Sequence, residues 1–400
     1  MDSMRNSVIL ISALAVTSIP CFLVAAERST YTAGSVEYSR QIISAANIPM
    51  NNLPYTEDFN NDGYTDLFLS AYTPVDQEQH GGDPGIILLN NGDNTFTVAG
   101  GDRPVSEWAR EVLIADFNGD QIPDAFIADH GWDTDPFPGF KNQLLFGTGT
   151  GFTDETDRLP DIDDFSHNAA EGDIDNDGDV DIFVANTDIT PAEEISYFLI
   201  NDGNGNFSLD RSRLPTRLSA PTGATVTLAA EIADLDGDNA PELIIGQEFD
   251  FGGTPALSEI YWNDGAGNYS DAIKTVIPEM ENFNPADGSQ IIEIQAFDID
   301  GDSDQDLLLS ANNSDPGFRG IGLQLMINQG GRQFTDSSLT CLSGEVQLDS
   351  SDRSKVFHFK FGDINFDGAT DVIMESGYDG TDKSLLAFEN NDGLKLRAVT

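Results

Sequence analysis

Short apolar triplets recur along the chain, each directly after a cluster of acids: Leu67-Phe68-Leu69, Ala125-Phe126-Ile127, Ile182-Phe183-Val184, Leu243-Ile244-Ile245, Leu307-Leu308-Leu309 and Val372-Ile373-Met374. Ahead of each acidic cluster comes an alternating or apolar run, such as Glu111 to Ala115 or Ile291 to Ala296. Runs of this length and period predict strands, so the local order is strand, acidic loop, strand. A third apolar run then ends in a Gly-rich turn, as in Leu89 to Phe96, Ile200 to Phe207 and Tyr261 to Tyr269. Asn-Gly and Asp-Gly pairs there supply the positive φ angles of tight hairpins, and a fourth strand follows each turn. No segment has the spacing of a long amphipathic helix.

The acidic loops are copies of one another. The first is Asp58, Asn60, Asp62 and Asp66; the second Asp116, Asn118, Asp120 and Asp124; the third Asp173, Asp175, Asp177 and Asp181. The fourth is Asp234, Asp236, Asp238 and Glu242; the fifth Asp298, Asp300, Asp302 and Asp306; the sixth Asp363, Asn365, Asp367 and Asp371. Within each, oxygen-bearing side chains stand at positions 1, 3, 5 and 9, and the first aspartates follow one another at 58, 57, 61, 64 and 65 residues. A near-constant period of this length marks a repeat architecture. Four antiparallel strands repeated six times predict an all-β fold, a β-propeller of six four-stranded blades, which limits exposed sheet edges by radial repetition. An irregular seventh blade is the alternative. The last repeat carries its own outer strand around 393–399, yet 35–43 also resembles an outer strand able to pair with that blade.

Asp, Asn and Gly favour turns on their own. That explains one loop, but not six with an acid always at position 9. Carboxylates at positions 1, 3, 5 and 9, with a backbone carbonyl at 7, suit Ca²⁺, which takes six to eight oxygens and sheds its waters more readily than Mg²⁺. Position 12, Leu69 in the first copy, has no Glu, so the acid at position 9 is expected to close the site, with up to six ions in all. Loops one, three and six keep Gly at position 6, whereas Gln121, Asn239 and Ser303 stand there in loops two, four and five, where affinity is expected to be lower.

Composition sharpens this picture. With 69 Asp and Glu against 19 Lys and Arg, the net charge is −50, which repels nucleic acid and anionic lipid as partners. The loops alone hold 23 of those acids, so bound cations would neutralise much of the charge. A hydrophobic content of 39% with 25 Phe supplies a real core. Arg5, the apolar stretch Val8 to Ile19 and Val24-Ala25-Ala26 read as an export signal over 1–26, leaving 27–400 to the repeats. An uncleaved N-terminal membrane anchor is the alternative, since Val8 to Ala26 is almost long enough to span. Pro20 before Cys21 makes a poor lipoprotein signal. Without the leader only Cys341 remains, so no intrachain disulfide is expected and no later segment is apolar enough to cross a membrane.

The loops and their trailing Asn-Asn-Gly-type turns resemble the FG-GAP and VCBS repeat family, which includes the propeller of integrin α subunits. The resemblance implies a propeller with calcium loops on one face, in proteins of adhesion, carbohydrate recognition or accessory roles beside secreted enzymes. Phe361-Gly362 survives of the eponymous cassette but no Gly-Ala-Pro does, which favours the VCBS-type branch over integrin-like recognition.

Two functional classes follow. The first is a secreted, cell-surface or periplasmic binding or adhesion module for carbohydrate or an extracellular protein. Its ligand face, opposite the calcium loops, would gather Tyr72, His130, Trp132, Phe137, Phe140, Phe249, Phe251, Phe318 and Tyr378, with His130, Trp132 and Tyr378 the principal candidates. The same aromatics also suit blade packing. The second class is a secreted polysaccharide lyase or hydrolase using Glu111, Glu231, Glu293, Gln295, His358 and Lys360, which fall at alternating positions of inner strands and more commonly just line a wet channel. The repeats occupy nearly the whole chain, which favours the non-enzymatic class. No nucleophile elbow, phosphate loop or Cys cluster is present.

Overall fold

A computed structural model describes residues 28–33, 36–41, 55–71, 82–93, 95–132, 138–187, 195–219, 225–246, 249–250, 257–280, 289–313, 319–338, 356–362, 370–376, 384–390 and 396–399. The proposed leader therefore lies outside the described residues. Helix among those described is confined to the 3₁₀ turn Thr156–Arg158, the single α-turn Thr216–Ser219 and Ser338.

Six four-stranded antiparallel meanders follow the six repeats. Sheet one is Tyr55–Glu57, Asp66–Leu69, Ile86–Asn90 and Phe96–Val98. Sheet two is Ala109–Ala115, Asp124–Asp129, Gln143–Gly147 and Gly151–Asp154, with Gly100–Gly101 added in parallel at its outer edge. Sheet three is Ser166–Gly172, Asp181–Asn186, Tyr197–Asn201 and Phe207–Asp210. Sheet four is Ala230–Ala233, Glu242–Ile245, Glu259–Tyr261 and Lys274–Val276. Sheet five is Ser289–Phe297, Asp306–Asn313, Arg319–Asn328 and Phe334–Asp336. Sheet six is Val356–Gly362, Asp371–Ser376, Ser384–Asn390 and Leu396–Val399. The acidic loop is the link between first and second strands throughout.

The apolar triplets are the second strands, and they are continuous because both of their faces are covered. Phe126 packs toward sheet three, whereas Ala125 and Ile127 pack toward sheet one. Phe183 faces sheet four, and its neighbours Ile182 and Val184 face sheet two. Ile244 likewise packs on sheet five while Leu243 and Ile245 pack on sheet three. The core is thus a series of layers between successive sheets, not one central mass. First strands of consecutive sheets lie side by side, from Ala109–Ala115 through Ser166–Gly172, Ala230–Ala233 and Ser289–Phe297 to Val356–Gly362. Phe297 stacks on Phe361 at 3.9 Å between ring centres, joining sheets five and six.

The last sheet takes its outer strand from Leu396–Val399, as the sequence suggests. The candidate strand near 35–43 does something else: Val36–Gln41 pairs with Arg28–Ala33 as a separate two-stranded hairpin.

Candidate metal centres in the acidic loops

The five loops described through all nine positions share one backbone course. The aspartate at position 1 accepts the amides of positions 5 and 6 in every one. In loop one, Asp62 N donates to Asp58 Oδ1 at 2.9 Å and Gly63 N to Oδ2 at 2.7 Å. The same pair recurs at Asp116, Asp173, Asp234 and Asp298. Position 6 is left-handed whether or not it is glycine: Gly63 at φ 87°, Gln121 at 69°, Gly178 at 94°, Asn239 at 64° and Ser303 at 78°. Position 4 is left-handed too, and holds only Asn or Gly in these loops (Asn61, Gly119, Asn176, Gly237, Gly301), residues that tolerate this region. Losing Gly at position 6 therefore leaves the turn intact.

The acid at position 9 sits apart from the exposed rim. Asp66, Asp124, Asp181, Glu242, Asp306 and Asp371 are all buried. Asp66 accepts Phe59 N at 3.0 Å and Asn90 N at 2.6 Å, tying the loop to the end of the third strand. Asp124, Asp181 and Asp306 repeat this double bond with Phe117 and Gly147, Ile174 and Asn201, and Ile299 and Asn328. Burial raises their carboxyls: Asp66 and Asp306 to about 6, Asp124 and Asp181 to about 7, and Glu242 to about 8. Position 9 is thus a brace between strands as well as a metal-ligand candidate.

Three loops bring acid oxygens within 4.8 Å of one another: Asp173, Asp175 and Asp181 in loop three, Asp234, Asp236 and Glu242 in loop four, and Asp298, Asp300 and Asp302 in loop five. Loops one and two have Asn60 and Asn118 at position 3, so the negative charge there is lower. Asp175 Oδ1, Asp236 Oδ1 and Glu242 Oε1 are buried without a hydrogen-bond donor. An orphaned buried carboxylate oxygen is costly unless a cation or proton meets it. Hard oxygen donors crowded together with unmet oxygens fit Ca²⁺. Asp363, Asn365 and Asp367 of loop six lie outside the described residues.

The sequence missed what the asparagine closing the third strand or just past it does. Asn201 Nδ2 donates to Val180 O of its own loop at 3.1 Å and to Phe117 O of the preceding loop at 2.8 Å. Asn263 bridges Pro241 O and Ile174 O in the same way, and Asn328 bridges Gln305 O and Leu235 O. Loops two, three and four are each stapled to the next repeat through their position-2 carbonyl. The signal was present as the Asn preceding each turn, and is lost in repeat two, where Gly147 stands instead.

The other candidate residues divide. His130 is buried, stacked on Phe165 at 4.6 Å and 5.0 Å from both Trp108 and His167, so it packs between sheets and presents nothing to solvent. Burial holds both histidines well below the usual imidazole range. Trp132 is half-buried, with its indole nitrogen lacking an acceptor, and Phe140 is half-buried beside Asp164. Tyr378, Tyr72, Phe137, Phe251 and Phe318 lie outside the described residues, as do the side chains of Phe249, His358 and Lys360. On the first strands, Glu111, Glu231 and Glu293 come together, joined by Glu171, which the sequence reading passed over. Tyr55 Oη donates to Glu111 Oε1 at 3.0 Å and Gln295 Nε2 to Glu293 Oε1 at 3.0 Å. Burial, then the charges of Glu171, Glu293 and Glu111, hold the Glu231 carboxyl well above its usual value.

The FG-GAP-like repeat matches residues 58–127, 116–184, 173–245 and 298–374. Each matched stretch begins at the first aspartate of an acidic loop and includes the loop after it. The chain belongs to the FG-GAP-like repeat family. No curated protein matches it in sequence. Among solved structures it is similar to the V. cholerae biofilm matrix protein Bap1, at 12% identity and a TM-score of 0.24, over 91% of this chain and 64% of that one. It therefore spans less than two thirds of that protein. It is also similar to BBS1N, solved in complex with ARL6DN, at 13% identity and a TM-score of 0.34, over 88% of this chain and 93% of the other. Among the described residues no helix is long and apolar enough to cross a membrane.

Proposed function

We propose that the chain is an exported, calcium-binding β-propeller of six blades that serves as a binding or adhesion module for a carbohydrate or an extracellular protein. The observation that carries it is the convergence of carboxylates in loops three and four around Asp175 Oδ1, Asp236 Oδ1 and Glu242 Oε1, each buried and without a donor. Position-1, -3 and -9 carboxylates would hold the ion, which supplies only charge neutralisation and rigidity. Six meanders packed layer on layer support ring closure. The face of sheet one away from sheet two already carries Leu67, Leu69 and Leu88, all buried. In a closed ring these would meet the last blade. The ligand face would then be the end of the sheets opposite the loops, near Trp132.

A polysaccharide panel tests this directly, with retention and product formation measured together in calcium and in chelator. Retention in calcium that is lost in chelator, without product, is the expected result. Retention that ignores chelator would detach binding from the loops.

One observation favours a second reading, a secreted lyase or hydrolase. Burial, then the charges of Glu171, Glu293 and Glu111, push the Glu231 carboxyl well above the ordinary glutamate range, the direction a general acid needs. Product formation abolished by Glu231→Gln, with retention kept, would replace the binding module by an enzyme.

A further inference from the structure

Arginines are scarce here, 19 Lys and Arg in 400 residues, and three of the described ones repeat a single job. Arg158 follows the fourth strand of sheet two. Its Nε donates to Glu155 Oε2 at 2.7 Å, and its Nη1 reaches the turn of sheet three at Asn204 O, 3.3 Å, and Asn206 Oδ1, 3.0 Å. Arg213 stands at the equivalent place after sheet three. Its Nε meets Asp210 Oδ2 at 3.2 Å, and its Nη1 meets Ala266 O in the turn of sheet four at 2.6 Å. Asn204 and Ala266 are corresponding turn residues, each three past the bridging Asn. The two latches differ in one arm. Arg213 Nη2 also holds Asp175 Oδ2, position 3 of loop three, at 3.0 Å. Loop two offers Asn118 there, and Arg158 makes no bond to it.

Loop four reaches the same end by another route. Arg332, in the turn of sheet five, lies over the Trp262 ring at 4.5 Å and places Nε 2.8 Å from Asp236 Oδ2. So where position 3 is aspartate in loops three and four, one oxygen is held by a guanidinium anchored on the following repeat and the other is buried without a donor. Where position 3 is neutral, as at Asn60 and Asn118, no arginine contacts it among the described residues.

We propose that Arg213 and Arg332 are resident counter-cations that set the calcium affinity of loops three and four and join each ion to the interface with the next repeat. This rests on the reading of the loops as calcium sites. Before the ion arrives, each guanidinium offsets the repulsion among the three clustered acids of its loop. After it arrives, the same positive charge stands against the ion. Both effects make the ion-free state relatively better, so each arginine weakens calcium binding while stabilising the empty loop.

The test compares the wild-type chain with Arg213→Met, Arg332→Met and Arg158→Met by calorimetric calcium titration and by thermal melts in calcium and in chelator. Arg213→Met and Arg332→Met should each tighten one site by about tenfold, the size of a partly screened charge contact. Each should also lower the melt in chelator more than in calcium. Arg158→Met should lower both melts alike and leave the titration unchanged, because its latch touches no loop acid. Arg213→Lys and Arg332→Lys, which keep the charge, should stay close to wild type in affinity. Sites that are unchanged or weakened in both Met variants overturn the inference, leaving the arginines as plain staples. A wild-type chain that takes up no calcium overturns the reading of the loops themselves, and this inference with it.

Discussion

Replacing Asn263 by alanine would leave Ile174 O without its donor, leave Pro241 O with only Tyr269 Oη, and release the amides of Gly265 and Gly267 from its Oδ1. A buried polar group left unpaired costs about 1–3 kcal/mol, so Asn263→Ala should lower stability by at least that much in denaturant melts. Asp264→Ala, one residue on but with its side chain only in the exposed turn, should cost much less. At this scale the sequence was half legible. Acids at positions 1, 3, 5 and 9 were plain from their spacing, but their division of labour was not. Nothing in a string of letters separates the buried brace at Asp124 from the exposed rim at Asp120, because that depends on which strand end lies beneath. Glu242 makes the point in a pH series. Burial holds its carboxyl at about 8, above an ordinary Glu, so the folded, ion-free chain retains a proton that the unfolded chain releases. With Asp124 and Asp181 at about 7, stability in chelator should fall as pH rises from about 6.5 to 8.5, a window in which the buried His130 and His167 stay neutral. Glu242→Gln should flatten that slope in chelator melts. A slope that is flat or rising in wild type would contradict the burial argument.

Strands were the most legible elements, because an apolar triplet after an acidic loop can persist only where both faces are covered. Phe183 shows the consequence. It is fully buried between sheets three and four, against Phe198 at 5.4 Å, in a layer shared with Leu243 and Ile245 of the next second strand. Phe183→Ala should cost about 3–5 kcal/mol, read as a drop in denaturant midpoint. Val98→Ala, on an exposed outer strand, should cost a small fraction of that. The segment near 35–43 went differently because strand propensity does not name a partner. Arg28–Ala33 is near in sequence and of matching length, so the local hairpin forms. His130 was misplaced as a ligand-face group for a related reason. Its Gly-Trp-Asp surroundings look like a loop, but the side chain turns inward onto Phe165.

Across the described residues, stability is distributed along a row of interfaces, each with an apolar layer, and those between sheets two and three, three and four, and four and five each add an asparagine staple and an arginine latch. Such a design has no single deep core to fall back on, and 23 acids are gathered in its loops. Filling those loops is therefore expected to be part of folding and not an accessory to it. One site at a hundredfold excess of ion over its dissociation constant adds about 2.7 kcal/mol, and several sites add correspondingly more. The most direct measurement is a pair of calorimetric melts of the purified chain, one in excess chelator and one in calcium, with magnesium as the control ion. The account predicts a transition that moves well upward in calcium and little in magnesium. Coincident melts in calcium and chelator would mean that the acidic loops are only turns, and would remove the calcium centres from this protein.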